Sequence, residues 1–91
     1  MHVRWSPDAA NDFERIVTYV HGDNPPAARR IADRVYQSVV GLMAFPMRGC
    51  PGRVRATREL PLTPLPFIVV YRVLDDVIEI VRVLHGAQRW P

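Results

Sequence analysis

The sequence has no lysine: its 12 strongly basic side chains are all arginines. A GC-rich coding bias accounts for that, although arginine's planar fork also suits carboxylate and phosphate groups. Cysteine is almost absent. Cys50 stands alone, so no internal disulfide can form, and a reducing compartment is the simple expectation. No stretch nears the ~20 apolar residues of a membrane span, and "MHVRWSPDAA" holds no apolar signal segment. Cytoplasmic residence with no membrane partner is therefore expected. His2, His21 and His85 lack metal-ligand spacing and lie far from Cys50 in the chain, so no metal is expected. No glycine-rich phosphate loop follows a strand, which leaves nucleotide binding unsupported. No serine occupies a turn suited to a triad nucleophile, and Cys50, in Gly-Cys-Pro, reads as an incidental thiol. No cofactor is expected.

What is present is a single domain, residues 1–91. A chain this short buries only roughly 60–65% of the surface it would expose unfolded. Its stability should be modest unless a partner adds to it. With 48% hydrophobic and 23% charged residues it has a globular rather than a disordered composition. The formal charge of +3 and pI near 9.8 suit nucleic acid or an acidic protein partner, but form no polybasic tail.

"HVRW", His2 to Trp5, alternates like a first strand. Ser6-Pro7 is a helix start: serine caps free amides and proline fits the first helical position. Phe13, Ile16, Val17 and Val20 then form one apolar stripe. Asp8, Asp12 and Glu14 lie near the end that the helix dipole favours for acids. Gly22 is expected to end this helix. Asn24 caps a second, with Pro25 and Pro26 in its first turn. Ala28, Ile31, Ala32, Val35, Val39, Leu42 and Met43 form its inner stripe, and Pro46 stops it. So short a connection predicts an antiparallel helical hairpin. Met47 to Gly52 reads as a loop. Arg53 to Leu60 reads as an arginine-rich strand, "PLTPLP" as a connection, and "FIVVYRVL" and "VIEIVRVL" as clear strands. The expected fold is α+β, in the order β-α-α-β-β-β, with the helical hairpin on one face of a small, mainly antiparallel sheet.

Asp75-Asp76 suggests a two-residue hairpin loop. Leu74 would then face Val77, with Arg72 opposite Glu79, Val70 opposite Val81 and Ile68 opposite Val83. The Arg72–Glu79 pair would favour that register by roughly 0.2–1 kcal/mol. It sorts the faces. Phe67, Val69, Tyr71, Val73, Ile78, Ile80 and Leu84 fall beneath the helices, a run broken only by Arg82. Arg72, Glu79 and His85 fall on the open side.

An open-face group follows: Arg53, Arg55, Arg58, Glu59, Arg72, Glu79, Arg82 and His85. In one reading, His85 or Glu59 moves a proton and the arginines stabilise a pentavalent phosphate, as a metal-free ribonuclease requires. In the other, Arg72–Glu79 is a structural pair, Arg58–Glu59 a solvated face and His85 a strand-end residue. Trp5 and Trp90, near the two ends of the chain, are candidates to plug the rim of a small core.

The whole chain resembles the RelE/ParE superfamily of bacterial type II toxins, in particular its ParE, or plasmid-stabilisation, branch. The carriers are "WSPDAANDFERIVTYV", "NPPAARRIADRV", "PGRVRATREL", "PFIVVYRV" and "VRVLHGAQRWP", in that order. The resemblance implies a toxin neutralised by a cognate antitoxin whose acidic, disordered segment folds onto it. The helix faces and the arginine-rich strand suit such a segment. Phe13, Ile16, Val20, Val35, Val39, Arg53 and Arg55 are the expected contacts.

Two mechanisms occur in the superfamily. RelE-like toxins cut mRNA in the ribosome with basic residues and a tyrosine or histidine. ParE-like toxins are described as acting on DNA gyrase with no nuclease site of their own. This sequence departs from the nuclease pattern: Pro66-Phe67-Ile68 is apolar where arginine is usual, strand two lacks lysine, and Gly86 rather than tyrosine follows His85. The expectation is a gyrase-directed toxin with no catalytic residues and no sequence-specific nucleic-acid binding. His85, Gln88, Arg89 and Trp90 would contact the target. The alternative is a ribosome-dependent endoribonuclease using His85, Arg58 and Arg82. A third possibility is a toxin-like fold that acts only within an antitoxin-bound assembly.

Overall fold

Ser6 decides where the first helix starts. In the computed structural model, which describes residues 1–91, its Oγ accepts the Ala9 amide at 3.0 Å and donates to the Val81 carbonyl at 2.9 Å. One side chain thus caps the helix and ties its start to the sheet. Strand β1 (His2–Trp5) leads into helix α1 (Pro7–Asp23), then α2 (Pro25–Ala44). Asn24 alone joins the helices. Its N–H bonds the Val20 carbonyl at 2.8 Å, and its side chain accepts the Ala27 amide at 3.1 Å. Gly22 lies inside α1 rather than ending it, because Asn24 closes one helix while opening the next.

Three antiparallel strands follow the hairpin: β2 (Cys50–Pro51), β3 (Arg58–Pro61) and β4 (Phe67–Leu74). Then comes β5 (Val77–His85), antiparallel to β4. The sheet order is β1-β5-β4-β3-β2, and β1 runs parallel to β5. The expected Arg53–Leu60 strand is shorter and later. Residues 53–57 form a turn, with Gly52 N bonded to Thr57 O, Thr57 Oγ1 to Val54 O and Ala56 at φ 67°. The expected 47–52 loop contains the two-residue β2. Asp75 takes φ 46°, the left-handed backbone that a two-residue hairpin turn requires.

The core lies between sheet and helices. Ala9, Ile31, Val35, Val39 and Leu42 meet Val69, Tyr71, Ile78, Ile80 and Val83 there. The helical stripes agree with the sequence periodicity, except that Met43 is exposed. Trp5 and Phe13, with ring centroids 5.5 Å apart, join β1 to α1. No helix is long and apolar enough to cross a membrane.

The final hairpin departs from simple alternation. Arg72 stands opposite Glu79 and Leu74 opposite Val77, as expected. Tyr71 then pairs with Ile80 but Val70 with Arg82, leaving Val81 as an extra residue. One inserted residue reverses the facing of everything after it. Val69 therefore pairs with Val83, Ile68 with Leu84 and Phe67 with His85, not Val70 with Val81 or Ile68 with Val83. Val83 enters the helix-side core in place of Leu84. Arg82 leaves that face, which removes the break in the apolar run. His85 moves from the open face to the helix side.

Candidate functional site at the end of the sheet

Beyond Trp5, β1 no longer covers β5, and α1 supplies what the free edge lacks. Asp12 Oδ2 accepts the Val83 amide at 3.0 Å, replacing a strand partner. The same carboxylate receives Arg82 Nε at 2.7 Å and Nη2 at 3.0 Å. This two-pronged pair raises the Arg82 pKa, chiefly through the hydrogen bond to Asp12. The guanidinium also lies 5.6 Å from the centre of the Trp90 ring, a cation–π contact that seats the tail.

The turn after β5 is held by its own backbone. Gly86 N donates to Pro66 O at 2.7 Å and Gln88 N to His85 O at 2.8 Å. Gln88 Oε1 accepts the His85 amide, and His85 Nδ1 accepts the Ala87 amide, each at 3.3 Å. Accepting at Nδ1 assigns the neutral ring's proton to Nε2. The ring stands edge-on to Phe67 with centroids 6.0 Å apart. Ile16, Val20, Phe67 and Val83 wall a groove of about 400 Å³ here, with Arg15, His85 and Gln88 also lining it.

Most of the expected open-face cluster is committed to partners, with Arg55 exposed and unpaired. Arg72 Nε meets Glu79 at 2.6 Å and Arg4 meets it at 3.0 Å. Glu79's carboxyl is held below the usual carboxylate range, first by Arg72 and then by Arg4. Arg53 reaches Glu59 through Nε at 3.0 Å and its backbone N–H at 2.9 Å, and the side-chain bond most lowers the Glu59 pKa. Arg58 donates to the Gly49 and Met47 carbonyls, clamping the loop before β2. Tyr71 completes that clamp, accepting Gly49 N at 2.8 Å and donating to Pro46 O at 2.7 Å.

The ribonuclease trio His85, Arg58 and Arg82 is not brought together. Arg58 stands opposite Tyr71 and His85 opposite Phe67. That separates them by roughly 13 Å along the sheet and about 10 Å across it. Arg82 is bound to Asp12. Among the expected target contacts, His85 and Gln88 line the groove, Arg89 is exposed and follows Gln88 in the chain without lining it, and Trp90 packs on Arg82 instead. Among the expected antitoxin contacts, Val35 and Val39 are 1% and 3% exposed and cannot meet a partner, because the sheet covers them. Ile16 and Val20 reach the groove, Phe13 is half-buried against Trp5, Arg55 is exposed, and Arg53 is tied to Glu59. No three His, Cys, Asp or Glu side chains gather as a metal site would require. Asp12 and Arg15 had no place in the expected site. The one sequence signal was Arg82 interrupting an apolar face, which a bulge resolves.

A family model described as the ParE toxin of the type II toxin–antitoxin system parDE matches residues 3–90. The chain belongs to the ParE toxin family. It is thus the toxin of a type II toxin–antitoxin pair, and membership in this family implies a cognate antitoxin. A Sinorhizobium fredii protein named as a candidate toxin, Y4kP, is 40% identical over 98% of this chain and 92% of its own length. Toxin RelE2 of Caulobacter vibrioides is 34% identical over 94% of this chain and 96% of its own. A chain of the solved chromosomal ParDE TA system from P. aeruginosa superposes with a TM-score of 0.82 at 27% identity, covering 93% of this chain and 95% of that one. That ParE-family architecture, two helices on a five-stranded mixed sheet, is the one described above.

Proposed function

We propose that this toxin acts in the cytoplasm by binding DNA gyrase and poisoning it, with residues 1–91 serving as one domain and no nuclease chemistry of its own. The reading rests on the condition of the sheet arginines. A ribonuclease needs cations free to take up charge developing on a phosphate, near a group that moves a proton. Here Arg58 is committed to backbone carbonyls, Arg72 to Glu79 and Arg82 to Asp12. His85 pairs with Phe67, four residues along β4 from the Tyr71 that faces Arg58. The ParE family match and the ParDE structural neighbour lean the same way. The target meets His85, Gln88 and Arg89, with Trp90 holding the tail in place. The antitoxin's acidic segment covers α1 around Phe13, Ile16 and Val20 and extends toward Arg53 and Arg55.

Purified toxin added to gyrase and supercoiled plasmid tests this directly. Cleavage complexes should accumulate and supercoiling should fall. A gyrase untouched at saturating toxin, together with mapped cuts in ribosome-bound mRNA, would replace this reading with the ribonuclease one. His85→Ala separates the two chemically: a few-fold loss of potency fits binding, whereas a general acid or base would cost roughly 10²–10⁴-fold.

A further inference from the structure

The groove between α1 and the turn after β5 has an unusual chemical balance. Its walls, Ile16, Val20, Phe67 and Val83, are apolar. Its rim offers hydrogen-bond donors. Arg15 makes no ion pair and is exposed at the edge. His85 uses Nδ1 as an acceptor for Ala87 N, which leaves Nε2–H to donate. Gln88 spends its carbonyl oxygen on His85 N, which leaves its amide NH₂ to donate. The one carboxylate in the lining, Asp12, is occupied by Arg82 on both oxygens and by Val83 N. Exposed Arg89 adds a further cation beside Gln88.

Resting on the gyrase-directed reading, we infer that this groove docks a segment of the target protein in which an acidic side chain adjoins a bulky apolar one. The apolar side chain fills the space between Ile16, Val20 and Phe67, where desolvation drives binding. The carboxylate is received by Arg15, His85 Nε2 and the Gln88 amide, all donors to an acceptor-only group. About 400 Å³ accommodates one large side chain with its acidic neighbour at the rim. Charge argues against a second copy of this chain as the occupant, because each copy carries a net +3. Tyr19, 80% exposed at the same rim, is available to close over the segment. Ile16 and Val20 also belong to the face proposed for the antitoxin, so the two partners exclude one another at this point.

The test compares full-length toxin with Arg15→Glu and with Arg29→Glu. Both substitutions are on exposed helical positions and change the charge equally, and Arg29 lies outside the groove. Circular dichroism and thermal unfolding confirm that the variants fold. The toxin concentration that gives half-maximal gyrase cleavage complexes should rise about tenfold or more for Arg15→Glu, the loss expected when an anchoring charge contact is reversed. It should not change for Arg29→Glu. A benzophenone amino acid in place of Tyr19 should cross-link to purified gyrase at an acidic–apolar segment, and one in place of Tyr36 should not. Equal potency of Arg15→Glu and wild type overturns the groove while leaving the gyrase reading intact. So does equal weakening by Arg29→Glu, or weakening of antitoxin neutralisation alone. A wild-type protein that neither poisons nor cross-links to gyrase removes both.

Discussion

The β4–β5 hairpin has two halves, and they use charge differently. Near its turn, Arg72 and Arg4 meet Glu79 on the open side of the sheet, with the arginines about half exposed. Beyond Val81, Asp12 and Arg82 meet at the sheet edge with little exposure, and the same carboxylate also holds a strand amide. Water screens the first pair, so it adds little beyond favouring the register. The second pair substitutes for a missing strand and carries the tail through Trp90. Both bring arginine to a carboxylate, two arginines to Glu79 and one to Asp12. What differs is whether a backbone group depends on them.

The sharpest separation of the halves should come from Asp12, because deleting Val81 would leave Arg82 opposite Val70 and Val83 opposite Val69 with their facing unchanged. Asp12→Ala leaves Arg82 and the Val83 amide without a partner and should cost about 2–3 kcal/mol in urea titration. It should also loosen Trp90, readable as a shift in tryptophan fluorescence. Tyr71→Phe, at the boundary of the two halves, strips the Gly49 amide and the Pro46 carbonyl of a buried partner. About 1–2 kcal/mol should be lost, with proteolysis appearing first in the 46–52 loop. Arg72→Ala should cost less than about 1 kcal/mol by the same urea assay. A loss as large as that of Asp12→Ala would erase the distinction between the halves.

The smallest effect is in the pH dependence. Glu79 has a folded pKa below its unfolded value because Arg72 and Arg4 bond its carboxylate. Its contribution is therefore complete above the unfolded pKa of about 4.3 and disappears as pH falls through the lower folded value. Glu59, bonded by Arg53, behaves in the same direction. Glu79→Gln should flatten the decline in stability between about pH 5 and 3. An unchanged slope would mean that the pair contributes nothing measurable.

Much of the fold is legible in the residues themselves. Ser6-Pro7, Asn24 and the apolar periodicity place both helices, and Asp75-Asp76 with Arg72–Glu79 fixes the near half of the hairpin. The far half is misread because a bulge leaves no mark in local composition. Val81 is as good a strand residue as Val83. Its status is set by Asp12, 69 positions earlier, holding the next free amide along the edge. The site carries the same error: regular alternation puts His85 on the open face with Arg72, whereas it lines the groove with Ile16. Periodicity puts Val35 and Val39 on an apolar face without saying what covers it, and the sheet, not a partner, covers them.

The sequence alone determined the helical hairpin, the turn residues and the membership of a toxin family, because caps, periods and motif order are local properties of the chain. Tertiary structure decided which arginines remain free and which face receives His85. Those outcomes depend on partners brought together from distant positions, where one extra residue in a strand exchanges the two sides of a sheet.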